Sequence, residues 1–203
     1  AYPAPMSTTE RGARHLDTLG LERRHGLAAL GITTLTLAAL AVQGRPLWCA
    51  CGSPVPWSID INGAHNSQHF VDPYSVSHFE HGLFFFLGLL LLPRLALAWR
   101  FVGAVSLECA WELVENSSFV IERYRTATVS ADVANSLSDV IFAGLGFVAA
   151  WQIVRHAKLG WRAWLALVLV CELGMILTVR DSLLINVVML IHPIEAIRAW
   201  QSA

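Results

Sequence analysis

The chain has 203 residues, of which 55% are hydrophobic and only 14% charged, and its mean hydropathy is +0.53. That is too apolar for an ordinary soluble domain of this size, so the chain is expected in a membrane. Fourteen Lys and Arg against fifteen Asp and Glu give a formal charge of −1, which excludes both a basic field for nucleic acid and an acidic, disordered chain.

With a helical rise of about 1.5 Å per residue and a hydrocarbon core about 30 Å thick, the length allows roughly five crossings in one bundle. The first uncharged run is 26–42, bounded by Arg23, Arg24 and His25 before it and by Arg45 and Pro46 after it. A cleaved signal peptide is the competing reading of this basic start. The run begins only after a polar leader and lacks an obvious small-x-small cleavage site. Residues 1–25 are therefore expected to be a polar cytoplasmic segment, and 26–203 a single transmembrane domain. Residues 43–74 are rich in Pro, Gly, Trp, Asn and His and keep no period of 3.6 or 2, which predicts an ordered, irregular loop.

The second span is expected over 75–92, ended by Pro93 and Arg94, and the third over 95–116, with Glu108, Glu112 and Glu115 embedded in it. A polar stretch, 117–136, leads into a fourth span, 137–154, followed by the basic residues Arg155, His156, Lys158 and Arg162. The fifth span is expected over 163–179. Residues 180–200 alternate apolar and polar groups around Pro193 and read as a short interfacial or re-entrant helix pair. The fold class is thus all-α, a polytopic membrane bundle of about five transmembrane helices with an irregular outer loop and a C-terminal interfacial helix.

Basic residues beside the spans set the orientation. Arg11, Arg14, Arg23, Arg24, Arg94, Arg100, Arg155, Lys158 and Arg162 mark one side, and Arg45, Arg123, Arg125, Arg180 and Arg198 the other. The first set is the larger, which predicts a cytoplasmic N-terminus in a multi-pass protein of the bacterial inner membrane, with the loop 43–74 on the periplasmic side.

In that topology the unusual polar groups gather at the outer face. His65, His69 and Asp72 lie in the loop, and His78, Glu80 and His81 open the second span. Glu108, Glu112 and Glu115 follow spacings of four and three and so share one helix face over about 10 Å of axis. Asp132, Asn135 and Asp139 stand where the chain re-enters, and Arg180 and Asp181 end the fifth span at the same level. An ionisable side chain at membrane depth costs about 2.5 to 3.5 kcal/mol on insertion scales, and three acids on one stripe also repel one another. Protonation, a bound cation, or partners such as Arg100, Arg123 and Arg125 could compensate them.

For a divalent metal ion, His78 and His81 can face the same way, and Glu112, Glu115 and Asp139 could complete a nitrogen and oxygen shell. Glu108, Asp132, Asn135 and Asp181 would line the surrounding binding site, with Arg123, Arg125 and Arg180 opposing an anion. The chain holds no HExxH and no paired CxxC. His65 and His69 read as a lone surface pair. Cys49 and Cys51 form a CxC that could be a strained bridge, a redox pair or two packed thiols. Cys109 and Cys171 read as packing residues, and His25 as an ordinary inner-side polar group. Gly103, Gly144 and Gly146 are expected to permit close helix approach.

Five stretches carry a resemblance: WCACG (48–52), NSQHFVDPYSVSHFEHG (66–82), ECAWELVENSSFVIERYRTAT (108–128), ADVANSLSD (131–139) and RDSLLINVVMLIHPIEAIRAWQ (180–201). Together they resemble an uncharacterised family of alphaproteobacterial inner-membrane proteins, a domain of unknown function, over residues 24–201. The resemblance implies membrane placement and supplies no reaction. A weaker similarity, in the order of His, Glu and Asp along successive spans, is to VanZ-like membrane proteins and is architectural only.

Two functions remain open. The first is an outer-side site that binds a divalent cation or a phosphate-bearing lipid headgroup. The alternative is a non-catalytic accessory subunit of a larger membrane complex, with Phe84, Phe85, Phe86 and the tail ending at Trp200 as contact surfaces. A proton or ion carrier using Glu108 and Glu172 is less favoured, because the five spans show no internal repeat.

Overall fold

In the computed structural model, which describes residues 18–60, 63–124, 131–156 and 161–201, the first helix is α1, Arg23–Val42. It ends where Gly44 takes a φ of +85°, letting Gly44 N–H bond the Ala41 carbonyl and Arg45 N–H bond the Leu40 carbonyl. This left-handed stop favours glycine and leaves Pro46 to lead the chain away. At the other end, His25 is buried, accepts a hydrogen bond from Glu22 N–H at 3.0 Å and stands edge-on to Trp99. It is therefore a packed residue at the helix start.

The remaining helices are α2 (Ser75–Leu89), α3 (Leu97–Glu115), α4 (Ser118–Tyr124), α5 (Val133–His156), α6 (Trp161–Val179), α7 (Leu183–Ile191) and α8 (Glu195–Gln201). No strand occurs among the described residues; the loop after α1 has a single bridge, between Trp57 and Val71. The all-helical class is thus observed. Three helices, α1, α5 and α6, are long and apolar enough to cross a membrane. Their outward side chains, among them Leu30, Leu35, Leu145, Leu169 and Leu177, are exposed apolar groups compatible with a lipid bilayer. α2 has 15 residues and α3 carries Arg100, Glu108, Glu112 and Glu115, so neither has the length and low charge of those three.

Element boundaries shift in ways that matter for the polar groups. α5 begins at Val133, four residues before the expected start, so Asn135 and Asp139 lie on its first turns. α2 closes at Leu89 rather than continuing to Leu92. The tail after α6 divides into α7 and α8 about Pro193.

α2 packs most extensively on α5, and the two run in the same direction, with Ser75 beside Asp139 and Gly82 beside Ala143. A Cβ on Gly82 would stand 2.0 Å from the Ala143 carbonyl oxygen, and one on Gly146 would stand 1.9 Å from that of Phe79. Backbone contact this close needs glycine at both positions. Gly144 and Gly103 differ from the expectation: a Cβ there would meet only Phe101 and Leu89 side chains at ordinary distance.

Below this crossing lies the apolar core of Leu83, Phe86, Leu97, Ala104, Phe147 and Trp151. Phe86 meets Phe147 edge to face at 5.1 Å, and Phe84 meets Trp164 at 5.2 Å. The run 84–86 is therefore not an exposed aromatic patch: the helical period sends Phe86 into the core and Phe84 onto α6. The opposite end of the α2, α3 and α5 packing is polar, and the described parts of the loop after α1 fold over it. Arg45 donates to the Asn116 carbonyl at 2.5 Å, Val133 N–H to the Pro46 carbonyl at 2.9 Å, and Asp132 N–H to the Ser67 carbonyl at 3.0 Å.

A buried histidine and carboxylate centre

His78 and His81 stand one turn apart on α2, their rings 5.1 Å apart and edge to face. Glu108 of α3 bridges both. One oxygen lies 2.5 Å from His78 Nδ1 and the other 2.9 Å from His81 Nδ1. A carboxylate can only accept, so each Nδ1 carries the proton, and a neutral ring then directs the lone pair of Nε2 away from Glu108.

Around His78 the other acids converge. Nε2 lies 3.6 Å from Asp139 of α5 and 3.9 Å from Glu115, and Nδ1 lies 3.7 Å from Glu112. Glu108 is fully enclosed, and His78, Glu112 and Asp139 are buried. Ligand atoms of His78, His81 and Glu108, and of His78, Glu112 and Glu115, each lie within 4.8 Å of one another, so both sets could hold a metal ion.

Asp139 is further held by Ser75 Oγ at 3.4 Å, and the Asn135 amide, once turned so that its nitrogen faces them, donates to Asp139 at 3.2 Å and to the Ser67 carbonyl at 3.3 Å. Asp132 faces the loop. It accepts from His69 N–H at 2.9 Å and from Asn135 N–H at 2.7 Å, and burial outweighs these bonds to push its carboxyl above the usual range. A cavity of about 30 Å³ opens onto His78, His81 and Glu115, with Trp111, Asn66 and Asp181 on its walls. That volume admits an ion with one or two waters. Burial also raises the Asp181 carboxyl, to about 6, despite hydrogen bonds from Ser182 N–H, Tyr74 and Gln201.

The structure therefore brings together His78, His81, Glu108, Glu112, Glu115 and Asp139, with Asn135 and Asp181 at the margin. It does not bring in Arg180 or Arg100. Arg180 is exposed and donates to the Trp200 carbonyl, and Arg100 turns to the Leu95 carbonyl at 2.8 Å. The Arg123 side chain and Arg125 lie outside the described residues. Glu80, two residues beyond His78, points to the other side of α2, toward Glu172 of α6. Glu172 in turn accepts from Leu184 N–H at 3.1 Å, an anchor for α7.

A second group, which no period in the sequence announces, stands in the loop after α1. Cys49, Cys51, His65 and His69 place one ligand atom each within 4.8 Å of all the others. The two histidines are therefore not a lone surface pair, and His69 is buried. The two cysteines are not bridged. Burial raises the Cys49 thiol, whereas the hydrogen bond from Cys49 lowers that of Cys51. The available signal was the CxC followed by HxxxH within one loop, a spacing shorter than the usual cysteine pair of zinc sites.

A helical bundle with membrane-length apolar helices and a buried His and carboxylate centre defines the class: a multi-helix membrane protein with a polar interior. The chain belongs to the family described as "Protein of unknown function (DUF2585)", whose profile matches residues 40–203. It is 42% identical over 193 residues to a UPF0314 protein of Brucella anthropi, covering 89% of this chain and 93% of that one. A UPF0314 protein of Paracoccus denitrificans is 43% identical over 177 residues, covering 83% and 89%, and one of Sphingopyxis alaskensis is 40% identical over 190 residues, covering 90% and 97%. These relatives support the uncharacterised alphaproteobacterial family; similarity to VanZ-like proteins is not shown. No solved structure matches.

Proposed function

We propose that this chain is a multi-pass protein of the bacterial inner membrane whose periplasmic-side centre binds one divalent cation. In this reading the N-terminus is cytoplasmic, residues 26–203 form one transmembrane domain, and α2 and α3 complete five crossings. The observation that supports the cation most strongly is the bridging of both imidazoles by Glu108. A carboxylate behind the ring, fixing the tautomer and leaving Nε2 for the ion, is the usual outer-shell arrangement of a metal-bound histidine.

Charge balance points the same way. Four carboxylates, Glu108, Glu112, Glu115 and Asp139, face two imidazoles. Even with both rings protonated, the acids outnumber the imidazoles, and any that stay ionised need a further partner in a buried site. A divalent cation offsets them, and water in the adjoining cavity can fill its open position. His78, His81, Glu112, Glu115 and Asp139 are the proposed ligands, with Glu108 as the positioning residue. Nitrogen and oxygen donors suit manganese, iron or zinc. A phosphate-bearing headgroup would then be held through the cation, because the described side chains of the cluster supply acids and imidazoles and no arginine.

Titration of chelator-stripped protein with Mn2+, followed by electron paramagnetic resonance, tests this reading. One Mn2+ per chain is expected, with affinity falling about 10- to 100-fold in Glu108→Gln and further in His78→Gln. Absence of stoichiometric binding, or unchanged binding in both variants, would overturn it.

A further inference from the structure

We propose that Cys49, Cys51, His65 and His69 form a second metal site, a tetrahedral Cys2His2 centre for Zn2+ that clamps the loop over the mouth of the buried cluster. The proposal is independent of whether the buried cluster binds a cation.

The donor geometry is close to what zinc requires. Zinc bonds of about 2.3 Å to sulfur and 2.0 to 2.1 Å to nitrogen set tetrahedral ligands roughly 3.3 to 3.8 Å apart. Cys49 Sγ lies 3.3 Å from His65 Nδ1, and Cys51 Sγ lies 3.6 Å from His69 Nε2. The four donor atoms all fall within 4.8 Å of one another. A small contraction around an ion would complete the shell.

The surroundings are those of ligands held for a metal. His69 Nδ1 lies 2.6 Å from the Val55 carbonyl oxygen. A carbonyl only accepts, so Nδ1 carries the proton and the lone pair of Nε2 points at Cys51. The backbone of His69 is held at a φ of +75°, an uncommon conformation for histidine, with its N–H fixed by Asp132 at 2.9 Å and its ring edge-on to Trp48. On the cysteine side, Gly52 turns the chain at a φ of +68°, and Ser53 N–H approaches Cys51 Sγ at 3.5 Å. Cys49 and His69 are buried while Cys51 is exposed, which gives an ion access from solvent.

Binding would displace the two thiol protons to solvent and leave a neutral centre of two thiolates and two imidazoles. Two thiolates with two imidazoles in a tetrahedral set select zinc over manganese, calcium or magnesium. The consequence concerns the first site. Asn66 and Ser67 lie between the two histidine ligands and line the cavity beside His78, His81 and Glu115. Zinc would therefore fix that wall of the cavity.

Cobalt(II) added to the full chain in detergent, after metal stripping and reduction, reports the site directly. The near-ultraviolet thiolate-to-cobalt charge-transfer band and the strong visible bands of tetrahedral cobalt are expected at one equivalent. They should be lost in Cys51→Ser and in His69→Ala and retained in His78→Gln, whose buried cluster contains no thiol. In parallel, Zn2+ should slow alkylation of Cys51 by about ten-fold or more in the wild type and not in His69→Ala. Because Cys51 is exposed, its serine variant is expected to keep the wild-type circular dichroism. Folded protein without the charge-transfer band would overturn the proposal. So would a band that survives Cys51→Ser, or intact-mass evidence that Cys49 and Cys51 are bridged in protein prepared without oxidant.

Discussion

His78 on α2 and Asp139 on α5 face each other at 3.6 Å, in a bundle whose crossing point is set by Gly82 and Gly146. The polar centre and the glycine contact are thus two ends of one helix pairing. Parallel helices held this close carry their next turns together, and the groups on those turns are a histidine and an acid.

Substituting alanine at Gly82 or Gly146 should separate the pair, because the new Cβ would lie within 2.0 Å of a facing carbonyl oxygen. Overpacking of this kind costs about 1 to 3 kcal/mol, and backbone contact places these sites at the upper end. Gly88→Ala, with nothing within 4 Å, should be neutral or slightly stabilising. Thermal unfolding in mild detergent distinguishes them; equal effects at all three positions would show that the close approach is not the determinant.

Removing His78 should destabilise the metal-free protein more than removing one of its acids. His78→Ala leaves Glu108, Glu112 and Asp139 buried without their shared imidazole, and stripping one partner from a buried charged set costs about 3 to 5 kcal/mol. Adding Glu108→Gln to His78→Ala should recover part of that loss. A double-mutant cycle gives the coupling, and strict additivity would contradict the pairing.

Asp181 should make the fold more stable at mildly acidic pH. Its folded carboxyl titrates at about 6, above the ordinary 3.8, because burial dominates over the bonds from Ser182, Tyr74 and Gln201 and because Glu172 is near. The folded state therefore binds more protons between about pH 4 and 6, and this contribution falls as pH rises through that window. Two pKa units correspond to about 3 kcal/mol at most. Asp181→Asn should raise stability at pH 7.5 and flatten the profile from pH 4.5 to 7.5; an unchanged profile would assign the pH dependence elsewhere.

The sidedness of the loop can be read at Cys51, the exposed one of the four cysteines. After chelation, a membrane-impermeant maleimide should label it in intact spheroplasts, and Cys51→Ser should abolish that labelling. Labelling only after lysis would invert the topology.

How much of this was legible in the sequence depended on period and charge. The spacings of Glu108, Glu112 and Glu115 and of His78 and His81 are helical, so their shared faces followed from 3.6 residues per turn. Asp139 was within reach because it sits on an apolar helix. Arg180 was not legible: its left-handed backbone turns the side chain toward Trp200, and no pattern in the chain announces that turn. The loop hid its own site for a related reason. His65 and His69 meet Cys49 and Cys51 through irregular backbone, with Ser67 and His69 at positive φ, where periodicity says nothing about which side chains converge. Phe86 shows the opposite failure, since an aromatic run reads as a patch until the helix phase places it in the core.

The proposed cation is held by His78 and its acids. Anomalous diffraction from crystals of the full chain soaked in Mn2+ locates it without recourse to activity. A peak is expected about 2.1 Å from His78 Nε2, between Glu115 and Asp139, that disappears in His78→Gln. Crystals that diffract well and show no peak in that cluster, or a peak that persists in His78→Gln, would contradict it.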